Sequence, residues 1–157
     1  MDKQFLKILM GTLSVIVFFI STFFSWYEGS DLVVRESRWD TTAILSNWIG
    51  EVNTKGDIYQ LDYLIYAAKY KPLFPSIMII SLSILFLLTA DKFLKSRQGL
   101  VVLILSGALF FLAGLILGFT IEENTVISIL FLIVGIIFLG NGAIKVRNSY
   151  RINPPHQ

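Results

Sequence analysis

The sequence predicts an all-α membrane protein in which four transmembrane helices form a left-handed bundle with a small extracellular cap. Three observations predict this class. Hydrophobic residues make up 55% of the 157 residues and charged residues only 15%, whereas about a quarter of the residues in a soluble domain are charged. Four long apolar runs contain no Asp, Glu, Lys, Arg or His. Eight of the 13 basic residues lie in the segments at one end of those runs, and the other five lie in the long insert.

The four predicted spans are residues 8–26, 73–90, 99–120 and 126–144. The first run approaches the ~30 Å thickness of the hydrocarbon layer at about 1.5 Å of rise per residue. A cleaved signal peptide is the competing interpretation, but the run is longer than a usual signal core and lacks an A-x-A-like site. Trp26 and Tyr27 are typical interfacial anchors, and Gly29 is expected to end the helix in the left-handed conformation.

The basic residues predict the orientation of the chain. Two lie in residues 1–7, three in residues 91–98 and three in residues 145–157, whereas residues 121–125 contain two glutamates and no base. Short connections follow the positive-inside rule most closely. These three basic segments, including both termini, are therefore expected in the cytoplasm. Residues 121–125 and the insert, residues 27–71, are expected outside a plasma membrane.

Small residues predict how the spans pack. Lipid is as apolar as leucine, so helices in a membrane associate through close contact between small residues. Such residues recur at spacings of three, four and seven in three of the runs, which keeps them on one helix face. The glycines expected at helix contacts are Gly107, Gly114, Gly118, Gly135 and Gly142. The stripe of small residues in the first run comprises Gly11, Ser14, Ser21 and Ser25. The alternative is that Gly and Ser are simply common in membrane helices.

The insert, residues 27–71, forms the predicted cap. It begins with a short strand-like run at residues 32–34, where β-branched residues follow a leucine. Asp40 or Thr41 is expected to cap a short helix that ends at Gly50.

An amphipathic interfacial helix is predicted in the cap from residue 58 to about residue 70. Asp57 and Gln60 have the spacing of a capping box at its start. Lys71 precedes Pro72, which disfavours helical geometry and predicts a break before the second span. One face of this helix is aliphatic and an adjacent stripe consists of tyrosines. The helix is too short to span, so it is expected on the outer surface of the bundle or in the headgroup layer.

Aromatic residues of the cap form the candidate partner surface: Trp39, Trp48, Tyr59, Tyr63, Tyr66 and Tyr70. Their rings supply large contact areas with polar handles. An interfacial aromatic belt is the alternative interpretation of the tyrosines. Trp39, Trp48 and the aliphatic helix face are expected to dock on the bundle rim, because a segment of ~45 residues without disulfides rarely folds alone.

The residue inventory excludes several kinds of chemistry. The chain has no Cys and one His, His156, which rules out disulfides and thiolate metal sites and disfavours a Ser-His-Asp triad. The outer acidic residues match no EF-hand spacing. No catalytic residue, cofactor, metal or nucleic-acid partner is predicted. The predicted spans contain no ionisable side chain, which disfavours a carrier or pore made by one copy.

Several short segments together resemble one family. They are WYEGS at residues 26–30, QLDY at 60–63, YAAK at 66–69 and KPLFP at 71–75. They are similar to the YjdJ-like family of small multi-pass bacterial membrane proteins, whose function is unknown. The resemblance covers roughly the first ninety residues. It implies a bacterial plasma membrane and brings no catalytic or binding residues.

The function expected from the sequence is non-enzymatic. An accessory or interaction protein would act through the extracellular cap on another membrane or envelope protein. A small oligomeric channel or transporter subunit is the alternative, and a stress sensor is a third option. The expected surroundings are the lipid bilayer, and a homo-oligomer is left open.

Overall fold

The computed structural model describes residues 2–93, 97–120 and 125–152, with side-chain packing given within 4–89, 99–115 and 126–145. Almost all of these residues lie in helices, and no strand occurs among them. The α-helices are α1 (Lys3–Gly29), α2 (Trp39–Thr42), α3 (Ile44–Ile49), α4 (Gln60–Tyr70), α5 (Leu73–Phe93), α6 (Arg97–Thr120) and α7 (Thr125–Ile152). Short 3-10 helices cover Ser30–Val34, Glu36–Arg38 and Lys55–Asp57.

Two helical segments are each long and apolar enough to cross a membrane. They are Gln4–Val34, which is α1 with the 3-10 helix that follows it, and Val126–Lys145 in α7. A third candidate span exists only if α4 and α5 are taken together, because they bend by 104° at their junction. The apolar part of α6 whose packing is described, Gly99–Leu115, is shorter. Of the predicted spans, residues 8–26 and 126–144 thus lie in candidate spans by themselves.

The junction between α4 and α5 lies where the sequence predicts a break. α4 ends at Tyr70, Lys71 has the non-helical angles φ −137° and ψ 65°, and α5 begins at Leu73. Pro72 disfavours helical geometry at the preceding residue. The predicted break is therefore confirmed.

Gly29 does not end α1 in the left-handed conformation, so that prediction is wrong. Its angles, φ −70° and ψ −25°, are those of a right-handed helix, and the chain continues directly into Ser30–Val34. A Cβ at Gly29 would lie 1.9 Å from the carbonyl oxygen of Tyr63. Glycine is needed here because the backbone of α4 approaches α1 too closely for any side chain.

The strand-like run at residues 32–34 is also corrected, because it belongs to the 3-10 helix Ser30–Val34. The amide of Arg35 donates to the carbonyl oxygen of Leu32 at 3.1 Å. An isolated strand would leave its backbone groups without partners, whereas the 3-10 turn pairs them locally. Leu32 is fully buried, so the apolar character of the run serves packing.

The chain divides into two compact units. One is Thr12–Leu82, and the other combines Met1–Gly11 with Ser83–Gln157.

In the unit Thr12–Leu82, α1 has an inverted polarity. Ser14, Ser21 and Ser25 are buried, while most of the large apolar residues of α1 are exposed. The Ser21 hydroxyl donates to the carbonyl oxygen of Phe18 at 3.0 Å. Small residues of α1 thus face the protein and bulky apolar residues face outward.

In the other unit, α6 and α7 pack through glycines. A Cβ at any of four glycines would lie 2.7 to 2.9 Å from an atom of the facing helix: Gly107, Gly114, Gly135 and Gly142. Gly107 faces Leu139, whereas Gly114 faces Leu132. Residue numbers therefore rise along α6 as they fall along α7, so the two helices are antiparallel. Gly118 lies outside the residues whose packing is described.

An aromatic cluster joins α5 to this helix pair. The ring of Phe138 on α7 is fully buried, with its centroid 5.7 Å from that of Phe110 on α6 and 5.3 Å from that of Phe86 on α5. Tilted aromatic pairs at such distances stabilise beyond the area they bury. The core of this unit is therefore built where three helices meet.

Candidate functional site in the cap

The cap, residues 27–71, has a small core of its own. The buried members are Leu32, Trp39, Ala43, Ile58 and Tyr66, with Val52, Tyr63 and Tyr70 packed against them. The indole N–H of Trp39 donates to the carbonyl oxygen of Leu32 at 2.9 Å, which satisfies the polar end of a buried ring. Trp39 in turn accepts at its own carbonyl oxygen from the side chain of Asn47 at 2.9 Å.

Asp62 holds α3 and α4 together. Its side chain is fully buried. The carboxylate accepts from the amides of Leu45 and Ser46, each at 2.9 Å, and from the Ser46 hydroxyl at 2.5 Å. The Ser46 hydroxyl oxygen accepts from the amide of Tyr59 at 2.7 Å. First-turn amides have no partner within their own helix, so Asp62 acts as a remote cap and places negative charge at the positive end of α3.

The burial of Asp62 decides which side of α4 faces inward. Tyr66 lies one turn further along the same face and Tyr70 one turn beyond that. The buried residues of α4 accordingly include Asp62 and Tyr66, while Leu61 is exposed. The cap core therefore receives the tyrosine side of this helix, and docking of the aliphatic face on the bundle rim stays a prediction.

Two polar contacts stabilise the end of α4 and the residue after it. The guanidinium of Arg38 lies 4.4 Å from the centre of the Tyr70 ring and donates to its hydroxyl, a cation–π contact. The ammonium of Lys71 donates to Asp31 at 2.6 Å. This hydrogen bond is the main reason that the pKa of Lys71 is raised above 10.5. Both side chains are more than a third exposed, so this ion pair contributes at most about 1 kcal/mol.

The turn before α4 contains a capping box, but its two residues differ from the predicted pair. Asp57 pairs with Thr54 around the 3-10 helix Lys55–Asp57, and α4 begins later, at Gln60. Hydrogen bonds from Thr54 first, and then Asn53, hold the pKa of the Asp57 carboxyl below 3.8. The predicted pairing of Asp57 with Gln60 is therefore wrong, because Thr54 occupies that carboxylate.

An exposed apolar surface lies beside this turn. It consists of Ile44, Trp48, Ile49 and Tyr59, and we call it the Trp48 surface. Trp48 is 88% exposed and the other three residues are at least half exposed. Ile49 and Tyr59 also line an open cleft of about 480 Å³, together with Ser46 and Glu51. Exposed tryptophan is unusual in a folded protein, and contiguous apolar patches mark interaction surfaces.

The structure separates the six predicted surface residues. Trp39 and Tyr66 are buried in the cap core, and Tyr63 and Tyr70 are half-buried against it. Only Trp48 and Tyr59 are exposed. The buried rings are thus structural, which corrects their assignment to a partner surface. Trp48 was predicted to dock on the bundle rim, but its side chain is exposed, so that prediction is wrong.

Asp62 is a structural residue that the sequence did not single out. The partners of Asp62 lie 16 and 17 residues earlier in the chain. Capping signals in a sequence are local, with spacings of about three residues. A remote cap of this kind has no such signature.

These features define an all-helical protein with two candidate membrane spans, or three if the bent pair is one span. A family model described as "Domain of unknown function (DUF4306)" matches residues 8–94, which is more than half of the chain. The chain belongs to this family. It is also 42% identical over 95 residues to the "Uncharacterized protein YjdJ" of Bacillus subtilis (strain 168), covering 56% of this chain and 86% of that protein. No solved structure matches the chain. The resemblance found in the first ninety residues is confirmed.

Proposed function

We propose that the chain is a four-span plasma-membrane protein with cytoplasmic termini, whose helices form a left-handed bundle. It acts without catalysis, as an accessory or interaction protein, and its extracellular cap binds a membrane or envelope protein through the Trp48 surface. Exposure of Trp48 is the observation that carries the second part of this proposal.

The membrane location is supported by the polarity of α1 and by the α6–α7 contact. A helix that buries serines and exposes bulky apolar side chains suits a lipid environment, where small residues mediate helix contacts. The glycine contacts of α6 and α7 have the same character. α6 has 24 residues, which at about 1.5 Å per residue is enough to span.

The partner surface is supported by residue type and position. Tryptophan and tyrosine are enriched among the few residues that dominate binding energy. Ile44 and Trp48 lie one turn apart on α3, so they present adjoining side chains. The remote cap supplied by Asp62 holds α3 in place, and a rigid helix loses little entropy on binding.

Cysteine labelling tests the topology. The chain has no native Cys, so single substitutions report cleanly. We expect an impermeant maleimide to label Lys55→Cys in intact cells and Ser96→Cys only after permeabilisation. The reverse pattern would refute the orientation.

Photo-crosslinking in intact cells tests the partner surface. A photoreactive phenylalanine analogue at position 48 is expected to give a discrete adduct with one membrane or envelope protein. The matched control is position 34, because Val34 is also strongly exposed in the cap. Absence of an adduct at 48, or the same adduct at 34, would refute this surface. Selective, saturable flux in proteoliposomes would instead favour a channel or transporter subunit.

A further inference from the structure

A second cleft, of about 400 Å³, lies between the start of α1 and the end part of α5. α1 contributes Gln4, Lys7, Ile8 and Gly11, which share one helix face at spacings of three, four and seven. α5 contributes Leu85, Leu88 and Thr89. All of these residues belong to the unit formed by Met1–Gly11 and Ser83–Gln157.

The cleft is polar at one end and apolar at the other. Gln4 and Lys7 come first along α1, and Thr89 is the last contributing residue of α5. The opposite end is formed by Ile8, Gly11 and the two leucines. A Cβ at Gly11 would lie 3.9 Å from Leu88, so the glycine leaves room at the apolar end.

We infer that this cleft binds an anionic phospholipid, with its phosphate at Lys7 and part of an acyl chain along the apolar wall. An ammonium and a primary amide both donate hydrogen bonds, which phosphate oxygens accept. Thr89 uses its hydroxyl hydrogen within α5, toward the carbonyl oxygens of Leu85 and Phe86. Lys7 supplies the positive charge in the lining of this cleft, and basic residues near a membrane surface attract anionic headgroups. This inference rests on the proposed membrane location but not on the cap's partner.

A lipid titration of the purified full-length chain in detergent, read by native mass spectrometry, tests this inference. We expect phosphatidylglycerol to bind at least about fivefold more tightly than phosphatidylcholine with the same acyl chains. Lys7→Gln is expected to remove most of that preference. The matched control is Lys55→Gln, which removes the same charge from an exposed residue of the cap. It is expected to leave the preference unchanged.

A second variant tests the apolar wall. It keeps the inference testable if Lys7→Gln does not fold. Gly11→Leu fills the cleft, and we expect it to weaken binding of both lipids while the protein stays monodisperse. Competition with soluble glycerol phosphate separates a lipid site from a site for phosphate alone. Equal lipid binding by Lys7→Gln and Lys55→Gln, or full competition by glycerol phosphate, would overturn the inference. Lipid binding in detergent depends neither on the orientation of the chain in a membrane nor on a partner of the cap. A negative lipid titration is therefore distinguishable from a negative labelling or crosslinking experiment.

Discussion

Replacing Asp62 by alanine removes the remote cap of α3. Three hydrogen bonds are lost, from the amides of Leu45 and Ser46 and from the Ser46 hydroxyl. Each buried donor left without a partner costs about 1–3 kcal/mol. Allowing for relaxation and water entry, we expect α3 to lose about 3 kcal/mol of local stability. At about 1.4 kcal/mol per tenfold change, this is on the order of a hundredfold in the opening equilibrium.

Hydrogen exchange with residue-level mass spectrometry measures this opening directly. The amides of Leu45 and Ser46 are expected to exchange about a hundredfold faster in Asp62→Ala than in the native chain, because local opening governs their protection. Asp62→Asn keeps one acceptor oxygen and should give an intermediate rate. Amides in the middle of α7 serve as an internal reference and should not change.

The matched control is Asp40→Ala, which removes an exposed carboxylate from the same cap. It is expected to change the exchange of α3 by less than about threefold, as surface substitutions usually do. If Asp62→Ala and Asp40→Ala gave the same exchange rates in α3, the buried carboxylate would not support that helix. α3 would then not present the Trp48 surface rigidly.

Three further predictions concern two glycine contacts and one titrating turn. Gly29→Ala places a methyl group 1.9 Å from a carbonyl oxygen of α4. It should lower the free energy of unfolding by about 3 kcal/mol, which a lower Tm of the purified protein would report. Gly50→Ala, with open space around it, should leave the Tm unchanged. Gly135→Ala, whose Cβ would lie 2.7 Å from the α6 backbone, should destabilise the α6–α7 pair, whereas Gly140→Ala, also in open space, should have little effect. The folded pKa of Asp57 lies below 3.8. The ionised carboxylate therefore stabilises the turn above about pH 3.8, and this stabilisation is lost as the pH falls through the folded pKa. Hydrogen-exchange protection of the turn should fall over that pH range in the native chain and not in Asp57→Asn.

The parts of the fold that could be predicted depend on local physics. Residues 8–26 and 126–144 are apolar along their whole length, and they lie in candidate spans because such runs favour long helices. The break before α5 follows from the steric effect of Pro72 on Lys71. Both features depend on these residues and their neighbours in the chain, and not on distant contacts.

The predictions that failed concern residues whose role depends on distant contacts. Val33 and Val34 favour a strand by type, but no neighbouring strand is available in the described chain to pair with them. Gly29 has the position of a helix stop, yet its function is to admit the α4 backbone. Trp48 is apolar enough to dock on other helices, yet it is 88% exposed.

The amino-acid sequence by itself determined the helical class, the family, the apolar segments and the break between α4 and α5. These follow from composition, periodicity and the geometry of adjacent residues, which act over a few positions. Only the tertiary structure decided that Trp39 and Tyr66 form a core while Trp48 remains exposed. The reason is that Asp62 satisfies amides 16 and 17 residues away, and this pairing sets the rotation of α4. Asp62 and Tyr66 are both buried on α4, and no pattern along the chain reveals that pairing.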